Sequence, residues 1–275
     1  MTTPQALVRP ENLAFLQQHV YAGSGIVLEK DKHYLLEARL GPLVREQGLV
    51  SLDDLCAVLR ASAASPLHRQ VVEAMTTNET YFFREPVHYD ALRERVIPDL
   101  VSLRQANRKL SFWSAASSAG QEAYSLAMML LGMGLGDWNI DILGTDLCDR
   151  VLQQARAGRY SQLEVNRGLP VGHLLQYFRR VGLNWELKPE VRRMARFQWL
   201  DLRTSLRSLG PFDVVFCRNV LIYFDLATKK RILEEIHGCL FRGGHLILGT
   251  TETSIPVSDY YERRTVGNTV FYVAR

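Results

Sequence analysis

Apolar residues recur at helical spacing through the first part of the chain, which indicates a domain built from helices alone. Up to about residue 85 they form short amphipathic runs separated by glycine, proline and serine, and no alternating strand pattern is visible. We therefore predict a small all-α domain and its linker over residues 1–85. Gly41-Pro42 is expected to interrupt one of these helices, because proline removes a hydrogen bond inside a helix.

Beyond residue 86 the pattern changes to short apolar runs that alternate with amphipathic stretches. A continuous apolar run predicts a buried strand of a parallel sheet, and the last two runs predict a closing antiparallel hairpin. The strand-like runs occupy residues 110–113, 140–144, 212–216, 245–248, 260–265 and 269–274. Strands that alternate with helices and close in a hairpin fit an α/β fold for residues 86–275, and we expect a mixed sheet of seven strands.

One stretch of this second region, residues 109–146, has the layout of half a nucleotide-binding sheet. A strand-like run is followed by a loop of small residues (114–120), an amphipathic run from Glu122, a second strand-like run and then Asp146. Only Gly120 of the three-glycine dinucleotide pattern is present, which favours a nucleoside cofactor such as S-adenosylmethionine over a pyrophosphate. The loop of an ordinary α/β domain is an equally good interpretation of this stretch alone.

The alternation of strands and helices breaks down between residues 160 and 207, where basic residues accumulate. Between Arg179 and Arg207 there are eight lysines and arginines against three acids. Residues 181–187 and 191–200 are predicted to form two strands, so that an inserted basic β-subdomain spans about residues 175–200. The charge alone fits a partner-docking face or a solvated excursion of the surface equally well.

Composition narrows the class of protein. The chain has 275 residues, a formal charge of +4 and four cysteines without CxxC spacing, so we expect free thiols and no metal site. The beginning of the chain has no apolar core of a signal peptide, and the longest apolar run is too short to span a bilayer. We expect a cytoplasmic protein that neither inserts into a membrane nor binds nucleic acid.

Residues 76–85 combine polar side chains with aromatic ones just before the α/β region. Asn78, Thr80 and Arg84 can line one side of a short ordered segment, and Phe82 and Phe83 can anchor it. Such a segment is well placed to close over a ligand. A linker whose phenylalanines pack and whose polar groups are solvated is the alternative.

Five features together resemble the chemoreceptor glutamate O-methyltransferases, the CheR family. They are NETYFFR (78–84), WSAASSAGQEAYS (113–125), Asp146, ARAGRY (155–160) and FCRNVLIYFD (216–225), and they occur in the family's order and spacing. The resemblance implies a Rossmann-like class I methyltransferase domain behind the all-α domain, and a small antiparallel β insert. The implied reaction transfers methyl from S-adenosylmethionine to receptor glutamates, leaving γ-glutamyl methyl esters and S-adenosylhomocysteine.

The resemblance also assigns roles to residues. Asn78, Thr80 and Arg84 are implied to reach over the cofactor. Glu122 is implied to hold its methionine portion, Asp146 its ribose hydroxyls, Asp201 and Leu202 its adenine, and Arg218 and Asn219 to close the site. Arg84, which can orient the substrate carboxylate, and Tyr223 are the implied catalytic residues.

This sequence departs from the family pattern at a cofactor-binding position and at positions expected to contact receptors. Aspartate at 201 replaces the usual asparagine and cannot donate to adenine. In the family, a basic helix face meets the helical cytoplasmic domain of receptors. Arg39 and Arg45 of that face are present here, although Gly41-Pro42 replaces part of it. The hairpin loop expected at residues 182–188 is short, so we predict binding that does not require a receptor C-terminal tail peptide.

Two other functions fit parts of the pattern. A methyltransferase acting on RNA or a small metabolite could use the same cofactor half, with Tyr177, Phe178 and Trp185 stacking on bases. The second alternative is a non-catalytic protein that senses the cofactor in a signalling array. The presence of Glu122 and Asp146 together with Arg84 and Tyr223 speaks against such a decayed site.

Overall fold

The computed structural model describes residues 8–29, 32–252 and 259–275. The chain divides into two compact units. The first comprises the residues up to Thr77 together with Tyr223–Asp225, and the second comprises Asn78–Ile222 and Leu226–Arg275. The division thus falls before the segment at 78–85, which the sequence pattern had grouped with the helical region.

The described residues of the first unit include four α-helices. They are α1 (Pro10–Ser24), α2 (His33–Glu46), α3 (Leu52–Ala61) and α4 (Leu67–Met75). Leu16, Leu55 and Val71 are fully buried in one apolar core between them. Ser51 caps α3, since its hydroxyl accepts from the Asp54 N–H while the Asp54 carboxylate accepts from the Ser51 N–H.

The expected interruption of α2 at Gly41-Pro42 is wrong. Pro42 lies inside the helix, which continues to Glu46. Proline costs the helix one backbone hydrogen bond. Leu43 and Val44, directly after it, are buried in the core, and this packing favours continuation of the helix.

The second unit begins with a helical segment and continues as alternating strands and helices. Its first elements are α5 (Pro86–Ala91), a π-helical turn (Leu92–Val96) and α6 (Ile97–Arg104). The later helices are α7 (Gln121–Gly132), α8 (Asp149–Ala157), α9 (Gln162–Asn166), α10 (Val171–Tyr177), α11 (Pro189–Arg192) and α12 (Leu226–His237). The strands are β1 (Lys109–Ala115), β2 (Asn139–Asp146), β3 (Arg159–Ser161), β4 (Phe178–Val181), β5 (Asn184–Leu187), β6 (Ala195–Trp199), β7 (Phe212–Cys217), β8 (Leu240–Leu248), β9 (Tyr261–Val266) and β10 (Thr269–Ala274).

Seven strands form one mixed sheet in the order β6-β2-β1-β7-β8-β10-β9, which confirms the predicted fold class. The strands from β6 to β8 in this order are parallel, and β10 pairs antiparallel with both β8 and β9. All six residues of β7 are buried, as its mainly apolar run predicted, and they include Asp213, whose carboxylate pairs with Arg104 at 2.9 Å. The central strands therefore form a rigid support for the loops at their carboxyl ends.

A second sheet, of order β3-β5-β4, is antiparallel and forms the insert. The prediction that residues 191–200 belong to it is wrong, because β6 pairs in parallel with β2 of the main sheet. Val181 pairs with Asn184, so the hairpin turn is only Gly182-Leu183, with Gly182 at φ 62°. The loop expected at 182–188 is therefore largely strand β5.

None of the described helices is both long enough and apolar enough to cross a membrane.

Candidate functional site

The carboxyl ends of β1, β2 and β7 lie side by side. Ala115, the last residue of β1, pairs with Thr145 of β2 on one side and with Cys217 of β7 on the other. Asp146 and Arg218 follow these partners directly, so the topology brings them to one edge of the sheet. This edge is where open α/β sheets bind ligands.

The loop after β1 is held in a fixed shape by its neighbours. The Ser117 N–H donates to the Thr145 carbonyl at 2.8 Å, and the Ser118 N–H donates to Asp146 Oδ2 at 2.9 Å. Gly120 has φ 88°, and a Cβ there would come within 2.9 Å of the Ala155 Cβ. This glycine is thus required by backbone conformation and by the close approach of α8, not by a ligand alone.

Asp146 is nearly buried and organises this loop. Its Oδ2 accepts from the Ser118 N–H and its Oδ1 accepts from the Cys148 N–H, each at 2.9 Å. A carboxylate offers about four acceptor positions. Such a group can accept from hydroxyl donors, and the two backbone bonds fix it at the carboxyl end of β2.

Glu122 lies in the first turn of α7, and its carboxylate has two side-chain partners. Oε1 accepts from the Ser114 hydroxyl at 2.7 Å, and Oε2 accepts from Arg218 Nη1 at 2.9 Å. Burial raises the pKa of Glu122, while Arg218 and Ser114 oppose that rise. The ion pair thus holds a negative charge in a place where a lone carboxylate would tend to be neutral.

Arg218 is the centre of a buried charge cluster, which we call the strand-end cluster and define as Arg218, Glu122 and Glu85. The Arg218 side chain is 1% exposed and lies 3.3 Å from Glu85 Oε2 in addition to its bond with Glu122. It also donates to the Arg84 carbonyl. Its buried Nε has no hydrogen-bond partner among the described residues. Burial alone would lower the pKa of Arg218, but the two carboxylates raise it.

Glu85 is a member that the sequence reasoning missed. It accepts from Asn219 Nδ2 and from the Thr250 N–H, each at 3.2 Å. Burial would raise the pKa of Glu85, but Arg218 and Asn219 lower it below its usual value. His88 Nδ1 lies 3.4 Å from Glu85, and burial followed by the charge of Arg218 lowers the pKa of His88 to about 4. The only sequence signal for Glu85 was its place next to Arg84.

Glu252 is the second residue that was missed, and it fixes the loop after β7. This 2% exposed carboxylate accepts from four backbone N–H groups: Asn219 at 2.7 Å, Gly249 at 2.8 Å, Val220 at 3.0 Å and Ile222 at 3.3 Å. Asn219 is left-handed at φ 58°. A Cβ on Gly249 would come within 2.7 Å of Glu252 Oε2. The carboxylate thus determines the backbone path that follows Arg218.

The segment at residues 78–85 packs onto the second unit. The Ser118 hydroxyl donates to the Asn78 carbonyl at 2.8 Å. Phe82 is fully buried against the rings of Tyr160 and Phe178, with centroids 5.0 and 5.7 Å away. The segment is therefore an ordered part of this unit and not a solvated linker.

Two side chains of this segment do not join the strand-end cluster. Arg84 Nη1 donates to the Glu79 carbonyl at 2.9 Å, and its guanidinium lies 5.6 Å from the Tyr81 ring centroid. Only the Arg84 backbone contacts Arg218. Thr80 is half-buried in the same segment.

Asp201 and Leu202 follow β6 at the same end of the sheet. Arg203 binds the Asp201 carboxylate bidentately, with Nε 3.0 Å from Oδ1 and Nη2 2.7 Å from Oδ2. The Arg203 N–H also donates to Oδ1. Leu202 is buried. The Asp201 carboxylate is therefore largely occupied within its own loop.

The remaining predicted residues belong to the first unit. Arg39 donates to the Met75 carbonyl at 2.6 Å and to the Thr77 hydroxyl at 2.8 Å, whereas Arg45 is exposed. Tyr223 ends a 3-10 turn, and its carbonyl accepts from the Val27 N–H at 2.9 Å. Arg39 is thus a structural contact of α4.

Comparison with known proteins gives matches along nearly the whole chain. Residues 11–76 match the family described as "CheR methyltransferase, all-alpha domain". Residues 78–268 match "CheR methyltransferase, SAM binding domain". The boundary between the two matches agrees with the division of the structure after Thr77.

Curated relatives are similar over nearly their full length. Chemotaxis protein methyltransferase 1 of Pseudomonas aeruginosa is 40% identical over 257 residues, which is 91% of this chain and 93% of that protein. Chemotaxis protein methyltransferase Cher2 of Pseudomonas putida is 38% identical, over 96% of this chain and 98% of that protein. Among solved structures, a TehB-like SAM-dependent methyltransferase from Corynebacterium glutamicum covers 69% of this chain and 97% of its own, at 17% identity and a TM-score of 0.35. That likeness is too weak to carry an argument.

Proposed function

Because the chain belongs to the CheR methyltransferase family, we propose that it methylates glutamate side chains of chemoreceptors to γ-glutamyl methyl esters. The family matches cover residues 11–76 and 78–268, so both domains of the family are represented. The observation that carries the proposal is the convergence of Glu122, Asp146 and Arg218 at the carboxyl ends of adjacent strands. The enzyme is a protein-glutamate O-methyltransferase, and its cofactor is S-adenosylmethionine.

The residues at the strand ends fit this cofactor. The Asp146 carboxylate, fixed at the end of β2 by backbone N–H groups, suits the ribose hydroxyls as an acceptor, and the Glu122 carboxylate suits the ammonium of the methionine portion. Ser117 Oγ, in the loop after β1, is buried without a partner among the described residues and can donate. S-adenosylmethionine supplies an electrophilic methyl group on a sulfonium sulfur.

Little acid–base chemistry is required of the protein. The carboxylate of a substrate glutamate is ionised at neutral pH, so no general base is needed. The protein contributes by alignment and by exclusion of water. In this proposal the Arg84 guanidinium leaves the Glu79 carbonyl to orient the substrate carboxylate by charge-assisted hydrogen bonds.

The other predicted residues keep smaller roles. Asn78 and Thr80 cover the cofactor from their ordered segment, and Asn219 closes the site from the end of β7. Leu202 flanks the adenine beside the Asp201 backbone, because the Asp201 carboxylate is bound by Arg203.

Tyr223 is the second proposed catalytic residue, and its hydroxyl is the group to test. A Tyr223→Phe variant should lower kcat while S-adenosylhomocysteine affinity stays at the wild-type value. An unchanged kcat would remove Tyr223 from the catalytic residues.

The proposed partner is the helical cytoplasmic domain of a receptor, so the proposed location is the cytoplasm. The exposed Arg45 is available to acidic receptor helices, whereas Arg39 is engaged with α4. The two-residue turn Gly182-Leu183 supports binding independent of a receptor tail, because it offers little loop to a peptide. Strong calorimetric binding of a tail pentapeptide would refute that part of the proposal.

RNA is a poorer substrate for this surface. Tyr177 and Phe178 are buried, and the Trp185 indole N–H donates to Gln162 at 2.9 Å. Two of the three rings are therefore unavailable to stacking bases, and Trp185 is partly buried against the main core.

The proposed function is tested by incubating the protein with methyl-labelled cofactor, a receptor panel and total RNA. We expect base-labile label in receptor protein, as a carboxyl methyl ester requires. The test should include receptors with and without their C-terminal tails. Label in RNA, or base-stable label in protein, would contradict the proposal.

A further inference from the structure

A cavity of about 540 Å³ opens on a face of the second unit formed by α7, α8, α11 and β6. Four arginines line it together with two aromatic residues. They are Arg156, Arg192, Arg193, Arg196, Tyr124 and Phe197. We call it the arginine cavity. None of the proposed cofactor residues lines it.

Three of these arginines have carboxylate partners. Arg196 binds Asp141 bidentately at 2.9 and 3.1 Å. Arg156 lies 3.5 Å from Asp149. Arg192 lies 3.3 Å from Glu186.

The carboxylates do not balance the positive charge. Glu186 is shared by three arginines, because Arg159 and Arg179 also lie within 3.5 Å of it. Arg193 is exposed and has no ion pair within the described parts of the chain. Six guanidiniums therefore meet three carboxylates, an excess of three positive charges. Lys188 and Glu190 at the start of α11 offset each other.

The shape and chemistry of the cavity favour a small phosphate-bearing ligand. Its volume falls in the range of small-molecule sites, whereas a docked protein needs a broader face. Planar guanidiniums match phosphate oxygens bidentately. The Tyr124 hydroxyl already donates to the Ala155 carbonyl at 2.7 Å, so recognition falls to the arginines and to the half-buried ring of Phe197.

We propose that the arginine cavity binds a small molecule that carries two or more phosphate groups. The ligand class is an inorganic polyphosphate or a nucleoside polyphosphate, and both present the same chemistry to the guanidiniums. The cofactor residues do not line the arginine cavity, but Phe197 of the cavity packs closely against the strand and loop that position them. A Cβ on Gly144 would come within 2.4 Å of Phe197, and one on Gly120 within 3.0 Å.

The test is isothermal titration calorimetry of the full chain with inorganic tripolyphosphate and, separately, with ATP. Excess S-adenosylhomocysteine fills the cofactor site in both titrations. We expect saturable binding of one ligand per chain. Tighter binding of ATP than of tripolyphosphate would identify a nucleotide ligand, and equal binding would identify the phosphates alone.

Arg193→Gln is the diagnostic variant, because Arg193 has no described partner whose loss would unfold the protein. It should weaken tripolyphosphate binding about tenfold, the loss expected for a charge-assisted hydrogen bond. Arg180→Gln is the matched control. Arg180 is exposed on β4, outside the cavity, and its replacement removes the same charge.

The proposal is overturned if neither phosphate ligand shows saturable binding up to millimolar concentration. It is also overturned if Arg180→Gln weakens binding as much as Arg193→Gln, since binding would then reflect non-specific electrostatic attraction to the protein surface. Binding of polyglutamate without binding of tripolyphosphate would replace it with an acidic protein partner.

Discussion

Two arginines of this protein make similar ion pairs in opposite surroundings. Arg264 on β9 binds Glu262 bidentately at 2.8 and 2.9 Å, and both side chains are more than half exposed. Arg218 binds Glu122 at 2.9 Å and Glu85 at 3.3 Å with its own side chain 1% exposed. Water can replace the partner of Arg264, whereas the Arg218 guanidinium is almost completely closed off from water.

The difference shows that distance alone does not rank ion pairs. Exposed pairs contribute little to stability, because solvent screens them and ordering two side chains costs entropy. A buried pair gains little over apolar packing, yet losing one partner strands a charge in the interior. The strand-end cluster is therefore a place where substitutions should affect both stability and function.

Replacing the central cation should have the largest effect. Arg218→Met leaves the Glu122 and Glu85 carboxylates without their common partner, so we expect a loss of about 3–5 kcal/mol in the free energy of unfolding. Urea denaturation at pH 7 measures it. A loss no larger than that of Arg264→Met would contradict the distinction between the two arginines.

The pH dependence of stability should reveal the same cluster. His88 is 1% exposed, and its pKa of about 4 lies below the ordinary value of 6.5. The unfolded chain therefore binds a proton that the folded chain resists. The burial of neutral His88 therefore makes the free energy of unfolding depend on pH. This free energy is at its full value above pH 6.5 and decreases, by about 3 kcal/mol, as the pH falls to about 4.

The pH prediction is checked by urea denaturation from pH 7.5 to 4.5 on wild type and His88→Gln. The variant should show a shallower decline between pH 6.5 and 5, where most carboxyl groups are still ionised. Identical slopes for the two proteins would place the pH sensitivity elsewhere.

Glu252 should have an intermediate effect through the backbone. In Glu252→Gln one carboxylate oxygen becomes an amide N–H that faces two backbone donors, so we expect a loss of about 1–3 kcal/mol. The displaced loop should also lower affinity for S-adenosylhomocysteine, measured by calorimetry.

Glu235→Gln is the matched control for Glu252. Glu235 Oε2 also accepts a backbone N–H, that of Leu206 at 2.9 Å, but it lies on α12. This variant should lose stability and keep cofactor affinity. If Glu252→Gln also kept full affinity, its carboxylate would be only a structural anchor.

The exposed pair should respond least. Arg264→Met removes a bidentate contact from a solvated edge, so the urea midpoint should match that of wild type within experimental error. A clear fall in the midpoint would mean that this pair is energetically coupled to the sheet.

The sequence predicted the parts of this fold that follow from local pattern. The run at 212–216 indicated a buried strand because four of its five residues are apolar, and Asp146 was placed by its position at the end of a strand. Strand β6 was assigned to the wrong sheet, because a strand pattern does not name its partner. Pro42 was misjudged because packing around it outweighs a local preference.

The residues of the site were only partly predictable, because local sequence does not reveal long-range contacts. Arg218 was recognised because it directly follows a strand. Its neighbour Asn219 donates to Glu85, which lies 134 positions earlier in the sequence. Glu252 accepts from the Asn219 N–H, 33 positions away. Contacts of such separation exist only once the sheet has formed, so no local spacing could reveal them.

The central claim is that the residues at the ends of β1, β2 and β7 form the cofactor site. Calorimetric titration of Glu122→Gln and Asp146→Asn with S-adenosylhomocysteine tests it most directly, with Glu235→Gln as the control for lost stability. We predict that both site variants bind at least tenfold more weakly than wild type while the control binds normally. Wild-type affinity in both site variants would contradict the account.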